Sequence, residues 1–408
     1  MSDKKSVFFL GLFVFFLNVP KIKAQNNPYN EVSISSPNAA SLGKYADIPV
    51  NYHTGIPQVS IPIYTVKEGP LTLPIGISYH ASGLKVLEVA SWVGAGWSLN
   101  AGGVITRTVQ GAPDERQTSN TYDQTHGHLS DSGYNKYLWG PTNPTPVQLT
   151  MPSWAPIYER QEWERFAEGK KDGEPDLFFF NFSGYSGKFY FHDDGSPVLV
   201  PEQDVKIEYS YTPGLGKSIE SFTITTPDGT KYYFGKTSST TDVDPVEITN
   251  PFTGDGGLSV GTAVSSWFLN KITSVDDLFS ISLTYAAENY SYYTISTFPV
   301  LYNQTQSSTP GYKAVKNIVK GVRLSQIVFS NGKVDFTPST AARLDLNGNT
   351  ANFVDDANTE AKSLSAIQVA DNSGTDCRKF VFLYDYFTDN SSALPPYLLI
   401  NSTTDKKD

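Results

Sequence analysis

The sequence predicts an all-β protein built from antiparallel hairpins, and three observations support this class. Its 408 residues include 32 glycines and 26 prolines, a composition that favours tight turns over long helices. Tyrosine and phenylalanine occur 24 times each, and aromatic residues are enriched in strands. Short alternating apolar runs flank Asp-Gly and Asn-Gly dipeptides, which favour hairpin turns. We therefore expect an antiparallel hairpin meander with β-sandwich-like sheets and one long irregular insertion.

Residues 1–24 have the layout of a secretory signal peptide. Lys4 and Lys5 precede an apolar run from Val7 to Val19, and Ala24 offers a small residue for cleavage. The run is too short for a stable membrane span, so a retained anchor helix is the less favoured alternative. We expect export through the Sec route, and not an integral membrane protein.

The remainder of the chain is acidic. It contains 27 basic and 40 acidic residues, a net charge of −13, and no basic run. Phosphate binding needs clustered lysine and arginine, so this charge argues against nucleic acid and anionic membranes as partners. Cys377 is the only cysteine, which excludes an internal disulfide. Stability must come from burial and strand pairing.

A polar, flexible leader over 25–40 precedes an N-terminal β domain predicted over 41–115. Two runs in this domain alternate with period two. The faces so defined are Val59, Ile61 and Ile63 on the first run, and Leu71, Leu73, Ile75 and Ile77 on the second. Pro62 and Pro74 lack a backbone donor, so each strand should lie at an edge or pair on one side only.

Residues 94–107 read Gly-Ala-Gly-Trp-Ser-Leu-Asn-Ala-Gly-Gly-Val-Ile-Thr-Arg. Paired glycines permit a tight bend on each side of Trp97, which predicts a glycine-hinged hairpin with one large anchor. We interpret Arg107 as a structural ion-pair or carbonyl partner. The structural motif consists of Gly94, Gly96, Trp97, Leu99, Gly102, Gly103, Ile105 and Arg107.

The alternation of strand-like runs and turns is interrupted over 116–175, which we interpret as a loop-rich insertion. Five prolines lie between 141 and 156, and the one helical candidate is 157–167. Loops of this length are either functional or loosely ordered.

From 176 to 408 the sequence predicts a β-hairpin repeat region. Four turns separate its strands, at 183–187, 194–195, 227–229 and 331–332. A single hairpin cannot bury its aromatic face, so neighbouring hairpins must stack. The strand signal at 397–400 has no closing element after it, which predicts a truncated product with an unpaired last strand.

The pattern Gly-x-Gly-Trp-x-Leu at 94–99, followed by Ile-x-Arg and then Gly-x-Pro, resembles the opening domain of Rhs/YD-repeat proteins and toxin-complex B-type shells. The resemblance extends through 41–50 and 78–83, and is greatest to secreted Rhs-like proteins of Bacteroidota. The Tyr-Asp consensus of the family's repeats is absent apart from Tyr384-Asp385. The resemblance therefore covers the portion before the repeats, over 40–400 with gaps at the insertion.

This resemblance implies a non-catalytic structural segment of an exported Rhs-type β-shell. Such a segment takes part in toxin or effector encapsulation or in cell-surface interaction of a Gram-negative bacterium. The implied partners are the rest of a longer Rhs-like chain or shell and a surface glycan or protein, with no cofactor. The alternative is a secreted carbohydrate- or protein-binding β module, because exposed aromatics such as Trp139 and Trp154 stack on sugars.

Two groups of residues carry metal-ligand chemistry. His126 and His128 lie near Asp123 and Asp131, but their spacing matches no established zinc pattern, so a solvated loop is favoured. The second group has the oxygen spacing of a calcium loop and consists of Asp345, Asn347, Asn349 and Asp356. Thr350 replaces the glycine expected at its sixth position, which favours a polar hairpin loop over a calcium site.

No motif for catalysis emerges, and we expect the chain not to be an enzyme. There is no Gly-x-Ser-x-Gly elbow and no phosphate-binding loop. Cys377 is assigned to a polar turn with no histidine near it in sequence. The acidic group Asp242, Asp244 and Glu247 is interpreted as a solvated loop.

Overall fold

The computed structural model describes residues 55–81, 83, 88–116, 127–130, 172–192, 194–212, 218–239, 241–252, 263–297, 312–346, 358–388 and 404–407. These residues belong to one compact unit, Val50–Asp408. The predicted signal peptide, the leader, the helical candidate at 157–167 and the strand signal at 397–400 lie outside them. The prediction that no closing element follows 397–400 is wrong, because Thr404–Lys407 forms a strand that pairs with Asp385–Thr388.

The described residues form β-strands and one short 3-10 turn at His128–Ser130, which confirms the predicted all-β class. The strands are β1 Gln58–Glu68, β2 Leu71–His80, β3 Trp97–Asn100, β4 Gly103–Thr108, β5 Leu177–Phe182, β6 Tyr185–Phe191, β7 Pro197–Val200, β8 Lys206–Tyr211, β9 Ile219–Thr225, β10 Lys231–Gly235, β11 Val246–Phe252, β12 Ala263–Thr273, β13 Ser280–Thr297, β14 Tyr312–Phe329, β15 Gly332–Pro338, β16 Leu364–Asp371, β17 Asp376–Val381, β18 Asp385–Thr388 and β19 Thr404–Lys407. Within this part of the chain, no helix is long and apolar enough to cross a membrane.

A three-stranded antiparallel sheet has the order β1-β2-β3. A bulge between Pro62 and Tyr64 shifts the register of β1, and this interrupts the alternation that the sequence predicts. Ile63, at the bulge, and Val66 beyond it are both buried. Ile61 is 47% exposed although it lies opposite Ile77, so burial on this face decreases towards the start of β1. Strand β2 keeps its alternation, and three of its four predicted inward residues are fully buried: Leu71, Leu73 and Ile75.

The positions of the two prolines agree with the prediction that each strand lies at an edge or pairs on one side only. Among the described residues β1 pairs with β2 alone, so Pro62 lies in an edge strand. Pro74 lies opposite Thr65 of β1, and the pairing of β2 with β3 begins only at Gly76. No backbone donor is required where either proline stands.

The second sheet has fourteen strands, with the path β17-β16-β15-β14-β11-β12-β4-β5-β6-β7 and with β8, β9, β10 and β13 off that path. All its described pairings are antiparallel, and the predicted hairpins β5–β6, β6–β7, β9–β10 and β14–β15 are confirmed. The first of them is tighter than the sequence suggests. Its turn is Ser183-Gly184, with φ of 44° and 86°, and β6 already begins at Tyr185.

The hairpin predicted over 94–107 is wrong. Strand β3 pairs with β2 in the small sheet, whereas β4 pairs with β5 and β12 in the large one. Only Ala101-Gly102 separates β3 from β4, and Gly102 has a φ of 148° that directs the chain from one sheet into the other. The partners of β4 are distant in sequence, so local turn chemistry could not reveal them.

Four strands of the large sheet close into a ring. Strand β12 pairs with β11 and β13, and β14 also pairs with β11 and β13. Each of the four strands is thus hydrogen-bonded to two of the others. The ring brings side chains from distant parts of the sequence around a common interior.

Stacked aromatic side chains fill the core of the large sheet. Trp267 is fully buried, with its ring centroid 5.0 Å from Phe222 and 5.9 Å from Phe178. Phe178 in turn stacks on Phe189 at 5.0 Å. Such aromatic pairs stabilise a fold by about 0.5–1.5 kcal/mol beyond the area they bury. The strands that supply them are β5, β6, β9 and β12, so neighbouring hairpins are held together by aromatic packing.

One outer edge of the large sheet is β17, which pairs only with β16 among the described residues. Cys377 lies on this strand and is exposed, which corrects its assignment to a turn. Val381 at the end of β17 is 62% exposed, and Leu383 just beyond it is 86% exposed. The strand also carries exposed Arg378 and Lys379, so its apolar surface is confined to the end near Val381 and Leu383. An edge strand with no described partner on its outer side is where another strand can pair.

Candidate functional site

The first half of the structural motif shapes the turn into β3. Gly94 and Gly96 have φ of 118° and 74°, values that L side chains rarely adopt. Ser91 closes this turn, because its Oγ donates to the carbonyl of Trp97 at 2.6 Å. Trp97 is half-buried and packs on Tyr79 with ring centroids 5.2 Å apart, and Leu99 is also half-buried.

The second half of the motif packs into the large sheet. Gly103 lies opposite Phe182 of β5, and a Cβ at this glycine would be 2.5 Å from the Cβ of Phe182. Ile105 is fully buried between Phe180 and Trp267, its partners on β5 and β12. The absence of a side chain at Gly103 therefore permits the close approach of β4 to β5.

We expect Gly103→Ala to lower the free energy of unfolding by about 2–3 kcal/mol, because the added methyl meets backbone and Cβ atoms that cannot move aside. Gly184→Ala is the matched control, since no atom lies within 4 Å of its Cβ position although its φ is +86°. That control should cost about 1 kcal/mol, through backbone strain alone. Urea denaturation followed by circular dichroism checks both values. Equal losses would contradict the packing role of Gly103.

Arg107 is the centre of a buried polar cluster. Its side chain is fully buried, with Nη1 2.7 Å from Glu115 Oε2 and 3.5 Å from Asp176 Oδ2. The guanidinium carbon lies 5.3 Å from the ring centroid of Trp267 and 5.9 Å from that of Phe178. Arg107 thus combines ion pairs with cation–π contacts to the aromatic core.

The same cluster joins the two ends of the insertion. The backbone N–H of Asp176 donates to Asp114 Oδ1 at 2.9 Å, and that of Asp114 donates to Asp176 Oδ2 at 3.1 Å. Close by, the N–H of Ala112 donates to Asp172 Oδ2 at 2.7 Å. These bonds connect the segment after β4 to the segment before β5, so they clamp the chain on either side of the insertion.

Burial disfavours charge on the two central carboxyls. It raises the pKa of Asp114, and the negative charge of Asp176 raises it further. Burial also raises the pKa of Asp176, against the opposing effect of Arg107 and of the hydrogen bonds from Gln110 and Asp114. The single guanidinium of Arg107 therefore does not fully compensate the carboxyls of Asp114, Glu115 and Asp176, in a region from which water is largely excluded.

This balance predicts a pH dependence. Because the folded-state pKa values of Asp114 and Asp176 lie above the ordinary value of 3.8, the folded protein binds more protons than the unfolded chain above about pH 4. Stability should thus fall as pH rises from about 4 through the raised pKa values. Asp114→Asn, which keeps Oδ1 as an acceptor, should flatten this dependence.

Chemical denaturation of the wild type and Asp114→Asn at a series of pH values checks this expectation. The control is Asp194→Asn, because Asp194 is exposed and its pKa is lowered by Ser196. That variant should keep the decline of stability with pH. An unchanged slope in Asp114→Asn would contradict the role assigned to the cluster.

A cavity of about 530 Å³ lies between the motif and the four-strand ring. Leu99, Gly102 and Gly103 of the motif line one side. All four ring strands contribute lining residues, namely Glu247 from β11, Phe268 from β12, Tyr285, Glu288 and Tyr290 from β13, and Val322, Arg323 and Leu324 from β14. A cavity of this size with a few polar groups among aromatic walls is typical of a small-molecule site.

Glu247 is a cavity-lining carboxyl whose surroundings shift its pKa. It lies on β11 and is half-buried, so its assignment to a solvated loop was wrong. Its Oε1 accepts hydrogen bonds from Ser265 Oγ at 3.1 Å and Ser266 Oγ at 3.4 Å. Burial raises its pKa, and the two serine hydroxyls oppose that rise. Asp242 is exposed and Asp244 half-buried, both in the turn region before β11.

The structure gives no support to the two metal groups among the residues it describes. His128 is buried in the 3-10 turn, and Asp123, His126 and Asp131 lie outside the described residues. Asp345 pairs with the guanidinium of Arg343, and the other three members of the calcium group lie outside the described residues. In the described part of the chain, no three His, Cys, Asp or Glu side chains are grouped to hold a metal ion.

Sequence reasoning identified Arg107 but missed its carboxylate partners and the cavity. Asp114 and Glu115 directly follow the Gly-x-Pro of the motif, and that proximity was the one signal that could have suggested them. Asp176 and Glu288 carry no local signal, because their role depends on strands that meet only in the folded chain.

The similarity of this chain to known proteins is low. No protein-family model matches the chain, and no curated protein matches it. Among solved structures, the chain is similar to the N-terminal domain of effector protein SpvB from Salmonella typhimurium strain LT2, with a TM-score of 0.31 and 11% identity. The match covers 80% of this chain and 93% of that one. At this level of similarity, function has to be argued from the residues themselves.

Proposed function

We propose that this chain is a non-catalytic structural segment of an exported Rhs-like β-shell, which takes part in toxin or effector encapsulation or in cell-surface interaction. The observation that carries the proposal is the edge of the fourteen-stranded sheet at β17, where no described strand pairs on the outer side. Its exposed Val381 and the neighbouring Leu383 give a further strand an apolar surface to cover.

The use of the motif residues supports the same proposal. Ile105 and Arg107 make their contacts inside the protein, with aromatic rings and carboxylates of the large sheet. Gly102 and Gly103 connect the two sheets and allow close packing. A segment that begins a wall needs such junctions between sheets, because each hairpin depends on its neighbours for burial.

Immunoblotting of fractionated source cells, with antibodies raised against this chain, tests the proposal. We expect a polypeptide much larger than the 44.8 kDa of the chain, in the medium or at the cell surface. Protease treatment of intact cells should degrade the surface-exposed form. A product of about the chain's own mass, retained in the cytoplasm, would overturn the proposal.

The cavity favours a second candidate, a secreted carbohydrate- or protein-binding β module. Its lining mixes aromatic rings with carboxyl, amide and hydroxyl groups, as binding sites for polar small molecules do. Glycan-array binding by the secreted chain, abolished by Tyr290→Ala in the cavity lining, would favour this module over the shell segment. An array without any bound glycan would count against its carbohydrate-binding form.

A further inference from the structure

The cavity beside the motif is lined by a glutamate with one carboxyl oxygen that no described residue hydrogen-bonds. Both hydrogen bonds to Glu247 reach Oε1, and Oε2 has no hydrogen-bond partner among the described residues. Glu247 also forms no ion pair within this part of the chain. Its Oε2 lies 3.5 Å from the position that a Cβ would occupy on Gly321, so the glycine leaves space next to it.

The two arginines of the cavity are engaged elsewhere. Arg343 donates to the carboxylate of Asp345 and, through Nη2, to the carbonyl of Ala90 at 2.6 Å. Arg323 donates through Nη1 to the carbonyls of Ala287 at 3.0 Å and Glu360 at 3.4 Å. Neither guanidinium is therefore the counter-charge of Glu247.

The walls around Glu247 suit a positive charge. Phe268, Tyr285 and Tyr290 line the cavity, and the rings of Phe268 and Tyr285 lie 5.8 Å apart. The hydroxyl of Tyr285 donates to the carbonyl of Leu269 at 2.7 Å, which fixes that ring. An aromatic face attracts a cation through its quadrupole, and the attraction grows when the cation is desolvated.

We propose that this cavity is a binding site for a small organic cation, with the charged group an ammonium held by Glu247 and the aromatic walls. Oε2 accepts from the ammonium, while Ser265 and Ser266 hold the other oxygen and so orient the carboxylate. The alkyl part lies against the apolar lining. This site is independent of whether the chain belongs to a shell, since it is formed by described residues of the chain alone.

Isothermal titration calorimetry with three probes of equal length tests the proposal: n-butylammonium, n-butanol and n-butyrate. At about pH 8, the intact chain should bind n-butylammonium at least about tenfold more tightly than the other two. Equal affinity for n-butanol and n-butylammonium would overturn the proposal, and so would absence of n-butylammonium binding.

Glu247→Gln keeps an oxygen acceptor for the two serines and removes the charge. It should weaken n-butylammonium binding by at least about tenfold without lowering the thermal unfolding midpoint. Glu208→Gln is the matched control, because Glu208 is an exposed carboxylate paired with Lys206 on the outer surface. It should bind as the wild type does. If Glu247→Gln remains folded and retains wild-type affinity, the site assignment is wrong.

A pH series gives an independent readout. Burial raises the pKa of Tyr290 and Tyr292 of β13, and the negative charge of Glu247 raises both further, so neither tyrosine adds a competing negative charge as pH falls. Glu288, Arg323 and Arg343 are the other charged groups of the lining. Because burial raises the pKa of Glu247 above the ordinary 4.5, binding should weaken as pH falls, beginning above the range of an ordinary glutamate. Affinity that is constant down to about pH 4 would contradict Glu247 as the counter-charge.

Discussion

Arg107→Met is expected to lower the free energy of unfolding by about 3–5 kcal/mol, because it leaves buried carboxylates without their cation. Asp176 is fully buried and Glu115 nearly so, and both lie within 3.5 Å of the lost guanidinium. The loss should increase with pH, since Arg107 normally lowers the pKa of Asp176 and the uncompensated carboxylate becomes harder to keep charged. Urea denaturation at about pH 6 and pH 8 measures both effects.

Lys206→Met provides a control with the same distance and different burial. Lys206 Nζ lies 2.7 Å from Glu208 Oε1, the same distance as Arg107 Nη1 from Glu115 Oε2. The side chains of Lys206 and Glu208 are both mostly exposed, however. This pair should contribute about 0–1 kcal/mol. Adding Glu115→Gln to Arg107→Met should restore part of the loss. If Arg107→Met and Lys206→Met lower the free energy of unfolding equally, the buried cluster does not stabilise the fold more than an exposed ion pair does.

Trp267→Ala is expected to cost about 3–5 kcal/mol, the range for a large aromatic removed from a packed core. Trp267 is fully buried, and its Nε1 donates to the carbonyl of Ile219 at 2.9 Å. Its ring also contacts Phe222 and the guanidinium of Arg107. Far-UV circular dichroism in urea is the appropriate measurement, because the substitution removes a fluorophore.

Trp97→Ala tests whether the tryptophan of the motif contributes as much to stability as Trp267 does. Trp97 is half-buried and its described ring contact is with Tyr79, so we expect a loss of only about 1–2 kcal/mol. If Trp97→Ala lowers the free energy of unfolding more than Trp267→Ala does, the motif tryptophan is the main anchor of the fold, contrary to our expectation. The two sites share no described contact, so their effects should add in the double variant.

The hairpins are the part of the fold that the sequence predicts best. Asp228-Gly229 and Asn331-Gly332 specify turns through their own backbone preferences, and the strands beside them pair as predicted. Pro62 and Pro74 exclude a second partner by lacking a donor, and the sheet accommodates both. These features depend on residues that are close together in the chain, so the sequence contains what is needed to predict them.

The motif at 94–107 shows where such reasoning fails. Its glycines predict a hairpin, but Gly102 directs β4 into the large sheet. There Ile105 lies opposite Trp267, a residue more than 150 positions later in the sequence. Similarly, Glu247 reads as part of an acidic loop until β11 pairs with β12 and places it over Ser265 and Ser266. Pairing between distant strands is determined by total burial and register, and neither can be read from a local window.

The sequence alone determines the all-β class, the tight turns, the one-sided pairing at the two prolines and the need for neighbouring hairpins to share an aromatic core. Backbone preference and period-two alternation are local properties, and they suffice for these conclusions. Only the tertiary structure decides that Arg107 meets Asp176 across the insertion and that Glu247 faces a cavity. Both depend on long-range strand pairing, which brings charges together in a low-dielectric interior and thereby changes their chemistry.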